Sequence, residues 1–187
     1  MTWLNRAFLW FYCLSIGDSA LVVALGAVGF LWLRRRWGTK VWWKLLTACL
    51  LLCWLGAVVG STVLSRASEG SETVLIPFHS YWTVLTGGEK ELLRSNFMNL
   101  LLFFPGGLLL ASLLPRKWPG WAVALTVGLL FTLVSGGIEV AQHCYGLGRA
   151  EVDDLLHNTA GALLGGWVAI KGPALPNFLR SRAQTRP

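Results

Sequence analysis

Apolar residues run along this chain in long blocks, and the polar positions that interrupt them fall at block ends or at helical spacing. Five stretches, roughly 8 to 33, 45 to 65, 95 to 114, 119 to 141 and 154 to 170, approach the ~20 residues a helix needs to cross a hydrocarbon core about 30 Å thick. They predict an all-α, polytopic transmembrane helical bundle of about five spans, with residues 1 to 187 forming one integral membrane domain. The first stretch is long for one span and short for two, so Trp3, Trp10 and Tyr12 are expected in the interface and Asp18 near the outer end of the crossing. Segment 66 to 94 is the one sizeable non-spanning piece. Its "GSETVLIPFHSYWTVLTGG" joins a polar start to apolar and aromatic residues, a Pro and a Gly pair, which suits an interfacial or re-entrant turn better than a solvated loop.

Within three of the expected spans the polar residues are phased. Positions three, four, seven and eleven apart share a helix face. In the fourth span that face reads Gly128, Thr132, Ser135, Glu139 and Gln142, with His143 beside it. In the fifth it reads Asp154, Asn158, Gly161 and Gly165, with Asp153 and His157 on the neighbouring face. The third contributes Ser95, Asn99, Phe103 and Gly106. If the third and fifth helices start on the side where the fourth ends, then Asn99, Glu139 and Asn158 converge at one end of the bundle, and Arg149 folds back over the carboxylates. Gly161 and Gly165 form a small-xxx-small pair that lets backbones approach, and Gly106, Gly107, Gly136 and Gly137 offer the same to other helices.

Charge then orients the bundle. Arg34, Arg35, Arg36, Lys40 and Lys44, then Arg116 and Lys117, then Lys171, Arg180, Arg182 and Arg186 occupy segments that hold no Asp or Glu, whereas all nine acids belong to the other side. Basic residues near span ends stay in the cytoplasm, so the N-terminus is expected outside and the C-terminus inside. Trp32, Trp37, Trp42, Trp43, Trp118, Trp121 and Trp167 cluster at the same inner interface, where amphipathic rings are favoured. The net charge of +7 therefore points to anionic membrane lipids as partners and not to nucleic acid. There is no signal-peptide cleavage pattern, and of four cysteines only Cys144 falls outside an apolar span, which excludes a disulfide framework.

With these residues on the page, the chain resembles the VanZ-like family of small bacterial membrane proteins over about residues 75 to 168. The resemblance rests on an ordered set: "LIPF" with the following Tyr81; "NLLLFFPGG" with Asn99, Phe103, Pro105 and Gly107; "IEVAQ" with Glu139 and Gln142; and "GRAEVDDLLHNTAGALLG" with Arg149, Asp153, Asp154, Asn158, Gly161 and Gly165. It implies an all-helical protein of the bacterial cell membrane. The family's namesake is associated with low-level resistance to the glycopeptide teicoplanin. No catalytic assignment comes with the resemblance, and His157 stands outside the matched pattern.

The chemistry of the cluster favours binding over turnover. Adjacent Asp153 and Asp154 point about 100° apart on a helix and do not naturally chelate one ion. Neither a zinc-protease motif nor a phosphate-binding loop is present, so no metal and no cofactor is expected. Ser95 and Ser135 lack evident His and acid partners, which leaves no nucleophile to name. The expected function is non-catalytic: Asn99, Glu139, Gln142, Arg149, Asp153, Asp154, His157 and Asn158 bind the polar part of a lipid-linked or cell-wall component, with Arg149 on an anionic group. Two rivals stand beside it. One is a membrane enzyme acting on a lipid-linked substrate at the same cluster. The other is a structural subunit in which Glu139 and Arg149 form an ion pair closing a hairpin while the asparagines tie helices together.

Overall fold

The computed structural model describes residues 15–64, 70–88 and 91–172. Residues 8 to 14 of the first expected span lie outside them, as do Trp3, Arg66, Lys90, Arg180, Arg182 and Arg186. The described chain builds six α-helices: α1 (Ile16–Trp37), α2 (Val41–Val59), α3 (His79–Leu85), α4 (Glu91–Leu113), α5 (Gly120–Tyr145) and α6 (Val152–Lys171). The all-α expectation holds, and the helices overlap the expected spans. The structure adds a two-stranded parallel ribbon of β1 (Gly70–Val74) and β2 (Leu147–Glu151), in which Glu72 faces Arg149. A five-residue strand pair leaves no hydropathy signal among blocks of 20 apolar residues, so neither the interfacial or re-entrant turn expected over 66 to 94 nor the short connection bearing Arg149 predicts a strand.

Local chemistry sets the helix ends. Ser15 caps α1 by accepting the Asp18 N–H at 3.1 Å, and Asp18 stands in the first turn while Arg34, Arg35 and Arg36 stand in the last. That charge order complements the helix dipole. Helix α2 widens into a π-helical turn over Gly60–Leu64. Helix α5 follows Pro119 and stops at Gly146, whose left-handed φ of 61° lets its N–H turn back onto the Gln142 and His143 carbonyls. Pro105 sits inside α4 and cannot donate to the Leu101 carbonyl. One residue on, the Leu102 carbonyl accepts the Trp54 indole N–H at 3.0 Å, joining α2 to α4.

The tightest helix pair is α4 with α6, which run parallel. A Cβ added at Gly161 would lie 2.1 Å from the Leu100 carbonyl oxygen, one at Gly165 2.0 Å from that of Phe104, and one at Gly107 1.9 Å from that of Ala162. Only glycine permits this backbone contact, so these three residues set the interaxial distance. Gly106 does a different job, making room for the Trp54 ring, whose nearest atom would be 2.6 Å from a Cβ there. Among the described residues a Cβ at Gly137 meets nothing within 4 Å, so Gly137 contributes no close approach there. Around this pair Trp54, Phe103 and Phe131 pack edge to face, with ring centroids 5.5 to 6.1 Å apart.

The burial pattern is inside out by the standard of a soluble domain. Thr47, Asn96, Asn99, Ser135, Gln142, Asp153 and Asn158 are buried, whereas Leu25, Val28, Leu52, Leu129, Leu133 and Val140 are exposed. Apolar surface this extensive is stable only in a nonaqueous setting. Four described helical stretches, Ile16–Trp37, Val41–Leu64, Glu91–Leu113 and Gly120–Tyr145, are long and apolar enough to cross a membrane. Helix α6 carries Asp153, Asp154, His157 and Asn158 in its first two turns and is not among them, although it lies alongside α4 from Asn99 to Ala111.

Candidate functional site

At the end of the bundle where α4 and α6 begin and α2 and α5 finish, the polar side chains form two linked groups. The first is centred on Asp153. Its carboxylate accepts the backbone N–H of Phe78, the backbone N–H of Ser80 at 2.9 Å, and the Ser80 hydroxyl, while Ser80 Oγ in turn accepts from Asn96 Nδ2 at 2.7 Å. Phe78 precedes α3 in a left-handed conformation, φ 61°, and offers no side-chain cap. Asp153 therefore caps α3 from another helix, supplying the acceptor that the local sequence "IPFHS" lacks. His157, one turn on, holds the same segment: its Nε2 pairs with the Tyr81 hydroxyl at 2.8 Å and its Nδ1 with the Asp153 carbonyl, and the two rings stack at 5.7 Å.

The second group ties the other helices together. Asn99 donates to Asp154 Oδ1 at 2.7 Å, Asn158 donates to Ser135 Oγ at 2.9 Å, and Gln142 donates to the Thr62 carbonyl at 3.1 Å in the π-helical turn after α2. Glu139 accepts the backbone N–H of Glu151 at 2.9 Å, which pins the end of β2 to α5. Arg149 pairs with Glu151 at 3.2 Å and with Glu72 at 3.8 Å across the strand ribbon. Arg149, expected to fold back over the carboxylates and paired with Glu139 in the structural-subunit alternative, meets Glu151 and Glu72 instead, because β2 directs it toward β1.

Among the described residues, two buried polar atoms in this group have no hydrogen-bond partner, Arg149 Nε and Asn158 Oδ1. The Arg149 Nε contacts with both carboxylates are close enough for attraction but lack hydrogen-bond geometry. Among the described residues, no three His, Cys, Asp or Glu side chains gather as metal ligands. Cys49, Cys53 and Cys144 are free and exposed.

The structure brings Asn99, Asp153, Asp154, His157 and Asn158 to the α4–α6 seam and leaves Glu139, Gln142 and Arg149 at its α5 edge. Sequence reasoning missed Ser80, Asn96, Glu151, Glu72 and Thr62. For Asn96 a signal was available, since it precedes Asn99 by three residues and so shares its face; Ser95, placed on that face from sequence, is exposed. Ser80 gave none, because its role is fixed by an aspartate 73 residues away.

Long apolar helices with an apolar exterior and polar residues gathered inside at one end define an all-α integral membrane protein. A model of the VanZ/LLP1 family matches residues 42–175, and the chain belongs to that family. The match starts at the beginning of α2, earlier than the motifs over 75 to 168. Comparison with curated proteins and with solved structures finds no match.

Proposed function

We propose that this VanZ-like protein is a multi-pass protein of the bacterial cell membrane that binds the polar part of a lipid-linked or cell-wall component at the Asp153–Asn158 end of the bundle. The observation that carries the reading is the pair of buried polar atoms that make no hydrogen bond among the described residues, Arg149 Nε and Asn158 Oδ1, within a cluster whose other members engage one another. Buried donors and acceptors are rarely left without hydrogen bonds, so a donor at the α5 edge and an acceptor at the adjoining seam favour a ligand that accepts from the first and donates to the second, such as a hydroxylated or phosphorylated headgroup. Helix α3 supports a lipid-borne ligand: Leu75, Ile76, Phe78, Trp82 and Leu85 around it are exposed apolar residues, suited to lying in the headgroup layer above the cluster. In this reading α6 is a fifth crossing, the N-terminus is outside and the C-terminus inside. Teicoplanin susceptibility then changes because a surface component is held or masked, without chemical turnover.

The test is retention of lipid-linked material by purified protein in native-lipid discs, read by mass spectrometry. Wild type is expected to retain a lipid-linked species that Arg149→Gln and Asn158→Ala both lose while remaining folded. Equal recovery from all three proteins overturns the reading.

A further inference from the structure

The opposite end of the bundle carries a second feature. A cavity of about 370 Å³ opens where the last turns of α1, α4 and α6 meet the start of α5. It is lined by Arg34, Arg35 and Arg116 together with apolar residues that include Leu114, Val123 and Ile170. Two of the arginines are fixed by the fold: Arg34 is buried and donates to the Ala169 carbonyl at 2.7 Å, and Arg35 donates to the Gly172 carbonyl. Both thereby cap the C-terminus of α6, an ordinary structural role. Arg116 has no such role, having neither an ion pair nor a hydrogen bond among the described residues. Its guanidinium nevertheless comes in beside Arg34, since a Cβ added at Gly38 would meet Arg116 Nη2 at 2.9 Å and Arg34 Cγ at 3.1 Å, and Arg35 lines the same cavity.

Three guanidinium groups around one cavity repel one another unless an anion sits between them. The chain supplies no acidic side chain for this: segments 34–65, 112–119 and 171–187 contain no Asp or Glu. The partner must also suit an apolar wall at the depth where Trp32, Trp118 and Trp121 are exposed. A free phosphate answers only the arginines. A phosphate esterified to a glycerol backbone answers both, its anion among the arginines and its acyl carbons along Leu114, Val123 and Ile170. We infer that the Arg34–Arg35–Arg116 cavity binds the phosphate of an anionic phospholipid from the leaflet at this end of the bundle, a site separate from the Asp153–Asn158 cluster.

The experiment uses the purified full chain in mild detergent, with phosphatidylglycerol or phosphatidylethanolamine of the same acyl chains added and bound lipid counted by native mass spectrometry. Phosphatidylglycerol is expected to bind at least about fivefold more tightly, and Arg116→Gln to remove about that factor, the effect of one basic residue near an anionic headgroup. Because Arg116 caps no helix, this variant is expected to keep the melting temperature of wild type. Lys117→Gln removes the same charge one residue away from a side chain that does not line the cavity, and is expected to leave binding unchanged. Three results overturn the inference: equal binding of the two lipids, equal loss in Arg116→Gln and Lys117→Gln, which marks diffuse attraction to charge, or displacement of bound lipid by millimolar inorganic phosphate, which marks a free-anion site.

Discussion

The carboxylate of Asp153 accepts both the backbone N–H and the side-chain hydroxyl of Ser80, 73 residues earlier in the chain. Through that contact the first turn of α6 holds α3 across the end of the bundle. Residue type matters on both sides: the acceptor must be short and carry two oxygens, because Phe78 and Ser80 approach different oxygens of one carboxylate. The amide exchange of residues 78–82 reports this directly. In Asp153→Ala the Phe78 and Ser80 N–H groups lose their acceptor, a loss of about 1 to 3 kcal/mol for the buried Ser80 group left unpaired. Hydrogen exchange over 78–82 is expected to rise at least tenfold while exchange in α5 stays as in wild type. Unchanged exchange at 78–82 shows that α3 is held by its lipid-facing side chains instead.

The α4–α6 seam gives a second prediction. Gly161→Ala and Gly165→Ala each drive a Cβ into a backbone carbonyl, and backbone cannot swing aside as a side chain can. Overpacking of this kind typically costs about 1 to 3 kcal/mol. Gly137→Ala, with open space around it, is the matched control and is expected to be neutral or slightly stabilising, since Ala is the better helix former. Thermal unfolding in detergent measures all three, and equal midpoints refute the assigned contact. Gly172 does not serve as a control, because a Cβ there meets Leu31 at 2.8 Å.

How much of this was legible beforehand follows from the range of the interactions involved. The helices were readable because each is dictated by its own run of apolar residues. The sequence spacing of Asp154, Asn158, Gly161 and Gly165 also indicated their shared face, because a helix fixes relative direction over a few residues. What Arg149 touches was not readable: a one-residue shift in the β1–β2 register would move Glu72 away from it, and hydropathy carries no record of that register. Ser80 and Thr62 were missed for the same reason. Each acts on a residue contributed by a distant helix, one through its hydroxyl and the other through a main-chain carbonyl that every residue type possesses.

The ribbon makes the Arg149 pairing testable by a double-mutant cycle. Coupling between Arg149→Gln and Glu151→Gln is expected at about 0.2 to 1 kcal/mol, the range of exposed and partly exposed pairs, since the Arg149 side chain is 37% exposed. Coupling between Arg149→Gln and Glu139→Gln is expected to be smaller, because Glu139 holds the Glu151 N–H and not the guanidinium. A larger coupling to Glu139 restores the ion pair of the structural-subunit alternative.

Sidedness is the remaining physical question, and it governs both proposed sites together. Glu72 belongs to the acid-bearing end, and its side chain is 81% exposed. Thr39 and Lys117 are exposed at the arginine end, between α1 and α2 and between α4 and α5. In a chain whose four cysteines have been replaced, a cysteine at Glu72 is expected to react with a membrane-impermeant maleimide on intact cells. Cysteines at Thr39 and Lys117 are expected to react only after the membrane is opened. The physical basis is that basic residues flanking a span are retained on the cytoplasmic side, and here the bias lies in short connections, where it acts most strongly. The fold makes the outcome all-or-none: Arg34 and Arg35 bond to the end of α6, so the ends of α1 and α6 cannot lie on opposite faces. If the labelling is reversed, the Asp153–Asn158 cluster faces the cytoplasm and cannot meet a cell-wall component. The arginine cavity would then have to draw its anionic lipid from the outer leaflet.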